Sequence, residues 1–315
     1  MKNAFEFGQE NQGPKQLADC DTADILKIIT PQVFCCPALT ARKPHLILMA
    51  MAWTLQNKLV WITGASSGIG RAMALEAAQH GAKLIISGRN VEALADVAAH
   101  CSQSCTIVPF DAANARAREA ATRTVLEKHG CPDVLILNAG VSQRARFEET
   151  DEIVFNSILE TNFFSAVAMT RMILPAMRRK NSGVIACVSS IAGLMGAPWR
   201  TAYSASKHAQ SGFFQSLRAE LYGSGIQISM VYPGFVRTAI SENALAGNGA
   251  RHGELDPLQK LGQDPAETAR IVWRKLEQGS LEIRVAFDGK AHLGVFLSRH
   301  FPALFAKSIS RHGAL

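Results

Sequence analysis

From Leu55 onward, short unbroken apolar runs alternate with longer stretches in which apolar residues return every three or four positions. The short runs fall at 58–62, 83–87, 105–110, 133–138, 183–189, 227–232 and 281–287. Their length and apolar content predict strands buried on both faces. The longer stretches, 69–80, 91–100, 113–129, 151–180, 202–223 and 265–278, have the period of helices with one apolar face. Strand and helix in turn predict one doubly wound α/β domain. It would hold a parallel sheet of about seven strands, with helices on both faces and the ligand at the carboxyl ends of the strands. No internal repeat, coiled-coil heptad or zinc-ligand spacing interrupts the rhythm. A single domain is therefore expected to hold the whole site.

Chemistry enters where the first strand ends. Lys58–Ile62 runs directly into Thr63-Gly-Ala-Ser-Ser-Gly-Ile-Gly70, and the helical pattern beginning at Arg71 follows. This strand, turn and helix is the context of a dinucleotide-binding glycine loop of Rossmann type. Gly64 permits the tight turn, Gly68 lets the backbone approach a pyrophosphate, and Gly70 lets the helix pack closely on the strand. The phosphates would lie at the helix N-terminus, where free N–H groups and the helix dipole favour anions. The second strand ends Ile85-Ile86-Ser87-Gly88-Arg89-Asn90. A carboxylate there would bind a ribose 2′-hydroxyl and repel a 2′-phosphate, but Gly88 stands in its place and Arg89 follows. A guanidinium pairs with phosphate and stacks on adenine, and Ser66 or Ser67 would add a hydroxyl. The expected cofactor is NADP(H).

Further along, Tyr203 and Lys207 lie four residues apart on a predicted helix, and Ser190 ends the apolar strand that begins near Val184. The spacing puts phenol and ammonium on one helix face, where the cation favours the phenolate. Such a Tyr gives or takes a proton readily, and Ser190 would donate a hydrogen bond to the same substrate oxygen. A Tyr-x-x-x-Lys pair by itself is usually a solvated helix face; the glycine loop upstream changes its meaning.

Together these residues resemble the short-chain dehydrogenase/reductase family. The loop matches Thr-Gly-x-x-x-Gly-x-Gly, and Asn138-Ala139-Gly140, Asn162, Ser190, Tyr203, Lys207, Pro233-Gly234 and Thr238 follow in the family's order, over roughly 54–288. The resemblance implies an oxidoreductase that interconverts a carbonyl and a secondary alcohol, with Asn162, Ser190, Tyr203 and Lys207 catalytic. Asn162 would hold a water linking Lys207 to solvent, and Lys207 would also bond the nicotinamide ribose. Gly64, Ser66, Ser67, Gly68, Ile69, Gly70 and Arg89 would contact the cofactor, as would Asp111, which would take a bond from the adenine amino group. Asn138, Ala139, Gly140, Tyr203, Lys207, Pro233, Gly234, Val236 and Thr238 complete that set. One departure is visible: Leu137 replaces the first Asn of the usual Asn-Asn-Ala-Gly, losing an amide that ties neighbouring strands. A non-catalytic, nucleotide-sensing protein on the same fold is the alternative, against which the intact four-residue set argues. Family members assemble as homodimers or homotetramers, and the same is expected here.

The substrate is read from the residues around the site. Met195, Trp199 and Phe235 offer apolar surface, and the glycine-rich segment 238–264 is expected to form a lid. The stretches 141–144, 189–221 and 241–245 resemble the dehydrogenase/reductase 7 and 7B branch, which implies a lipid-like substrate. Within 289–315, apolar and basic residues mix irregularly around Pro302. This extension is expected to make a subunit contact or cover the substrate cleft, with peripheral membrane contact the weaker alternative.

Composition agrees with this picture. The chain has 315 residues, 48% of them apolar, and no apolar run of bilayer-spanning length. The seven cysteines, at 20, 35, 36, 101, 105, 131 and 187, lack paired metal-ligand spacing. Reduced thiols, a cytoplasmic location and no metal are expected. Cys187 falls in a predicted strand and reads as a small core hydrophobe. The net charge of +7 comes without any nucleic-acid recognition motif and suits an anionic cofactor and substrate. Residues 1–50 lack any sustained period, mixing polar stretches with Pro31, Pro37 and Pro44, and are expected to be a poorly ordered extension ahead of the folded unit 51–288. Against the family's usual beginning just before the first strand, Met49 or Met51 would be a natural start. Ala50-Met51-Ala52 resembles a signal-peptide cleavage site, but more than forty residues precede it.

Overall fold

The computed structural model describes residues 53–101 and 104–310, so the expectations for 1–50, and those for 311–315, lie outside the described residues. The seven apolar runs become β1 (Leu59–Thr63), β2 (Lys83–Ser87), β3 (Cys105–Ile107), β4 (Val134–Leu137), β5 (Gly183–Val188), β6 (Ile226–Pro233) and β7 (Glu282–Val285). All pair in parallel, in the order β3-β2-β1-β4-β5-β6-β7. Strand order reverses between β1 and β4, where Trp61 pairs with Ile85 on one side and Leu135 on the other. A crevice opens at the carboxyl ends of the strands at such a reversal.

Alternate side chains fill the two layers. Val60, Ile62, Leu84 and Ile86 pack on one face beneath α1 (Gly68–Gln79) and α2 (Val91–Ala99). Trp61, Ile85, Leu135 and Cys187 pack on the other, beneath α3 (Ala115–Lys128) and α4 (Glu152–Lys180). Burial pushes the Cys187 thiol up to about 12, so it is a packing group. β3 stops at Ile107, short of the predicted 110. Val108 and Phe110 still donate to Ile86 and Gly88, so pairing runs on past the end of the strand, with Pro109 between them on the open edge of the sheet, where no N–H is needed. At the amino end of β4, Asp133 accepts from the Leu59 N–H at 2.9 Å and from Lys180 at 2.5 Å. Partial burial pushes its carboxyl up, but Lys180, the Leu59 N–H and Lys58 together outweigh burial and hold it below its usual range.

α4 is long and apolar enough to cross a bilayer, yet Ala166, Met169, Ile173 and Met177 are buried against the sheet. Its middle, Glu160–Phe164, is a π-helical turn that the helical periodicity of 151–180 did not disclose. α5 (Thr201–Glu220) follows β5. Beyond β6, the segment expected as a lid contains only the short α6 (Pro257–Lys260). It is stitched to the loop after β4, where Leu245 N–H donates to Ser142 O at 2.9 Å and Arg144 N–H to Leu245 O at 2.8 Å. α7 (Pro265–Glu277) leads to β7. The C-terminal extension forms two helices, α8 (Gly289–His300) and α9 (Pro302–Ser310), broken at Pro302.

Candidate active site

The glycine loop gains its shape from close approach. A Cβ on Gly70 would lie 2.2 Å from Gly64 O and 2.4 Å from Asn138 Nδ2, and one on Gly64 would lie 2.9 Å from Ala139 Cα. Gly64 and Gly68 also have left-handed backbones, with φ of 65° and 55°. Asn138 Nδ2 donates to the carbonyls of Thr63 and Gly64, both at 3.0 Å. Thr63 Oγ1 in turn accepts from the N–H groups of Asn138 and Ala139. The tie between β1 and β4 thus persists although Leu137, buried in the core, has replaced the family's first Asn.

These residues wall a groove of about 620 Å³ at the switch point. Gly64, Ser66, Ser67, Gly68, Ile69, Arg89, Asp111, Asn138, Ala139, Gly140 and Thr238 all line it; Gly70 sits behind, in α1. Gly88 also lines it, and a side chain there would meet Ser66 Oγ at 3.3 Å. Asp111 Oδ1 accepts from Ala113 N at 3.0 Å. The groove fits a dinucleotide: its floor is backbone, a side chain at Gly64 or Gly70 would collide with it, and Arg89 stands at one end.

A second cavity, of about 240 Å³, adjoins the groove and shares Asn138, Gly140 and Thr238 with it. Ser190, Tyr203, Lys207, Pro233, Gly234 and Val236 line this cavity, so the structure brings three of the four predicted catalytic residues together. Lys207 is buried and its Nζ donates to Val188 O at 2.9 Å, 5.7 Å from the Tyr203 ring centre. Ser190 Oγ accepts from Ala192 N at 3.2 Å. α5 is registered by Gln143, whose Oε1 accepts from Ala202 N at 2.8 Å, and by Ser189 Oγ, which donates to Lys207 O at 3.1 Å.

Asn162 does not line the cavity. It lies behind Gly140, in the π-helical turn, and its amide is spent on protein partners. Oδ1 accepts from Val141 N at 2.8 Å, and Nδ2 donates to Val141 O at 3.0 Å and Ser206 Oγ at 2.9 Å. Arg118, buried in α3, bonds Glu160 at the start of that turn at 3.0 Å.

Met195 and Phe235 line the cavity as expected; Trp199 does not. Trp199 has a left-handed backbone, φ 60°, and its ring lies 5.3 Å under the Arg144 guanidinium. A bulky residue in that conformation marks strain held in place by its surroundings. Sequence reasoning missed the charges beside it. Arg144 and Arg200, with 15% and 18% of their side chains exposed, share the carboxylate of Asp256, at 4%, over 3.8 and 2.9 Å. Burial and the neighbouring Arg200 lower the Arg144 pKa, with Asp256 and Glu254 opposing. Asp256 also caps α6, a role the Asp-Pro dipeptide announces. Its arginine partners have no local signal. Finally, α8 packs on Met195 through Gly294, and Ile309 of α9 reaches the cavity lining.

A glycine-floored groove at the switch point of a parallel sheet defines an α/β protein of the Rossmann type. The model of the family described as short chain dehydrogenase matches residues 58–249. The Bos taurus protein Dehydrogenase/reductase SDR family member 7B is 35% identical over 287 residues, covering 88% of each chain. Its Mus musculus namesake is 38% identical over 258 residues, 80% of each. A short-chain dehydrogenase/reductase from Burkholderia phymatum, solved with NAD, has a TM-score of 0.72 at 24% identity, covering 80% of this chain and 96% of its own. An alcohol dehydrogenase from Thermococcus sibiricus, solved with 5-hydroxy-NADP, has a TM-score of 0.62 at 24% identity, over 73% and 95%. These two share the fold. The chain belongs to the short-chain dehydrogenase/reductase family of oxidoreductases.

Proposed function

We propose that this protein is an NADP(H)-dependent oxidoreductase that interconverts a carbonyl and a secondary alcohol on an apolar or lipid-like substrate. The observation that carries the reading is the convergence of Ser190, Tyr203 and Lys207 on one cavity that adjoins the glycine-floored groove. Arg89, and the lack of any carboxylate at Gly88, favour a 2′-phosphate at the far end of that groove. Ile191, Met195, Phe235, Leu258 and Ile309 give the cavity its apolar wall.

When bound, the nicotinamide supplies or accepts the hydride. In the reductive direction, Tyr203 gives its phenolic proton to the substrate oxygen, and in oxidation it takes that proton back. Lys207 is held to Val188 O with its charge beside the Tyr203 ring, where it favours the phenolate left behind. Because Ser190 Oγ already accepts from Ala192 N, its own hydrogen is free to be donated to the substrate oxygen as negative charge develops there.

Tyr203→Phe keeps the ring and removes the proton. Turnover should fall by about a hundred- to ten-thousandfold while cofactor affinity stays near the parent value. A panel of carbonyls and alcohols, followed by absorbance of the reduced cofactor, measures the first, and calorimetry the second. Near-parent turnover in the Phe protein would sink the mechanism. A parent that binds NADPH and turns over nothing in the panel would favour a nucleotide-sensing role.

A further inference from the structure

Behind the reacting groups lies a buried side chain that the proposed chemistry has not used. Gln210 sits on α5, one turn beyond Lys207, and is 1% exposed. Its Nε2 donates to the backbone carbonyl of Asn162 at 2.7 Å. Its Oε1 is buried and has no hydrogen-bond partner among the described residues. The orientation of the amide follows from its neighbour: reversing it would set oxygen against the Asn162 oxygen, so the orphan is the acceptor end. A buried amide oxygen without a donor is costly in a protein interior, and an ordered water is the usual remedy.

The placement gives that water a role. Asn162 is bonded by Ser206 through its side chain and by Gln210 through its carbonyl, so its two α5 contacts bracket Lys207. Asn162 Oδ1 and Lys207 Nζ both lie within 4 Å of the point where a Gly140 side chain would begin. Gln210 follows Lys207 by three positions on α5, and side chains on a helix lean toward its N-terminus, so the two share one side of the helix. The Asn162 side-chain amide is committed to Val141 and Ser206 and its carbonyl already accepts from Gln210, so the Gln210 Oε1 is the acceptor of this group that has no donor at all.

We propose that Gln210 is a positioning residue that holds the Asn162 carbonyl in the π-helical turn and seats, on its free Oε1, the buried water that returns protons to Lys207. This rests on the Tyr203 mechanism. Each reduction takes one proton from Tyr203, and one returns from solvent through this water and Lys207, so the site is reset without net change. Gln210 touches neither substrate nor cofactor and acts only through Lys207 and Asn162.

Gln210→Leu fills the space and removes both ends of the amide. NADPH affinity should be unchanged, and the melting temperature should fall modestly because the buried Asn162 carbonyl loses its donor. The turnover number should fall about tenfold at saturating substrate, with KM falling alongside it so that kcat/KM is little changed. The solvent deuterium isotope effect on turnover should rise, and the isotope effect from reduced cofactor deuterated at the transferred position should shrink, because proton return becomes limiting. Gln210→Glu, able to donate and accept when protonated, should recover turnover as pH falls. A crystal structure of the parent should show a water within hydrogen-bond distance of Gln210 Oε1. Unchanged turnover and isotope effects in the Leu protein would overturn the proposal, as would a loss of stability alone or the absence of that water. Failure of the underlying mechanism reads out separately, as parent-like turnover in Tyr203→Phe.

Discussion

The nucleotide groove and the substrate cavity share Asn138, Gly140 and Thr238 along a common wall, yet they are built by different means. The groove is made of backbone. Its floor is one loop between β1 and α1, shaped by glycines whose missing side chains let Gly64, Gly70 and Ala139 approach one another. The cavity is made of side chains from separate segments. Arg144 follows β4, Arg200 precedes α5, and Asp256 comes from the segment after β6. A backbone-built site is the same for any chain that keeps its turns, whereas a wall built from partly buried charges belongs to one particular set of side chains. Recognition of a shared cofactor suits the first, and discrimination among substrates suits the second.

The contrast breaks most visibly at Gly70. Ala there would set a methyl group 2.2 Å from Gly64 O and 2.4 Å from Asn138 Nδ2, where α1 cannot shift without opening the loop. Overpacking against backbone costs about 3 kcal/mol, and NADPH affinity should fall more than about a hundredfold. The melting temperature should fall with it. Parent-like affinity and stability in Gly70→Ala would mean that close approach does not shape the groove. Gly212→Ala is the control, because a side chain at that α5 position meets nothing within 4 Å.

The matching test of the cavity is Asp256→Asn. The amide can still accept from Leu258 N and cap α6, but Arg200 and Arg144 lose the negative charge they share. Taking the shared carboxylate from these partly buried guanidiniums costs up to about 3 kcal/mol, read as a lower denaturant midpoint. KM for substrate should rise while NADPH affinity holds. If cofactor affinity fell as much as substrate affinity, the two regions would not be separable.

The same division explains what could be read along the chain. Strands, helices, glycine loop and the Tyr203–Lys207 turn are each encoded within a few residues, by period or by spacing, and all seven strands lie where the apolar runs placed them. Arg200 and Asp256 are 56 positions apart, and their pairing exists only once the segment after β6 is laid beside α5. The π-helical turn stayed hidden for another reason. Glu160–Phe164 has ordinary helical content, and the turn is fastened by residues far away in sequence, Arg118, Ser206 and Gln210. The left-handed Trp199 breaks the local preference of its residue type, so no local rule announces it.

The finest test lies where a side chain decides which cofactor the groove takes. Arg89 lines its far end beside Gly88, where a carboxylate would exclude a 2′-phosphate and glycine does not. Ser66 lies close enough to Gly88 to share the same ligand atom. If Arg89 pairs with that phosphate, the parent should bind NADPH more tightly than NADH. Arg89→Ala should then lose about 1.5–3 kcal/mol toward NADPH, roughly ten- to hundredfold in affinity, and almost nothing toward NADH. The backbone floor, untouched by the substitution, accounts for the affinity that remains. Calorimetric titration of both cofactors against both proteins separates the two contributions. Equal affinity of the parent for NADPH and NADH would remove the assignment of the 2′-phosphate to Arg89. An equal loss for both cofactors in Arg89→Ala would instead place the guanidinium on the adenine face, stacking on a group that the two cofactors share.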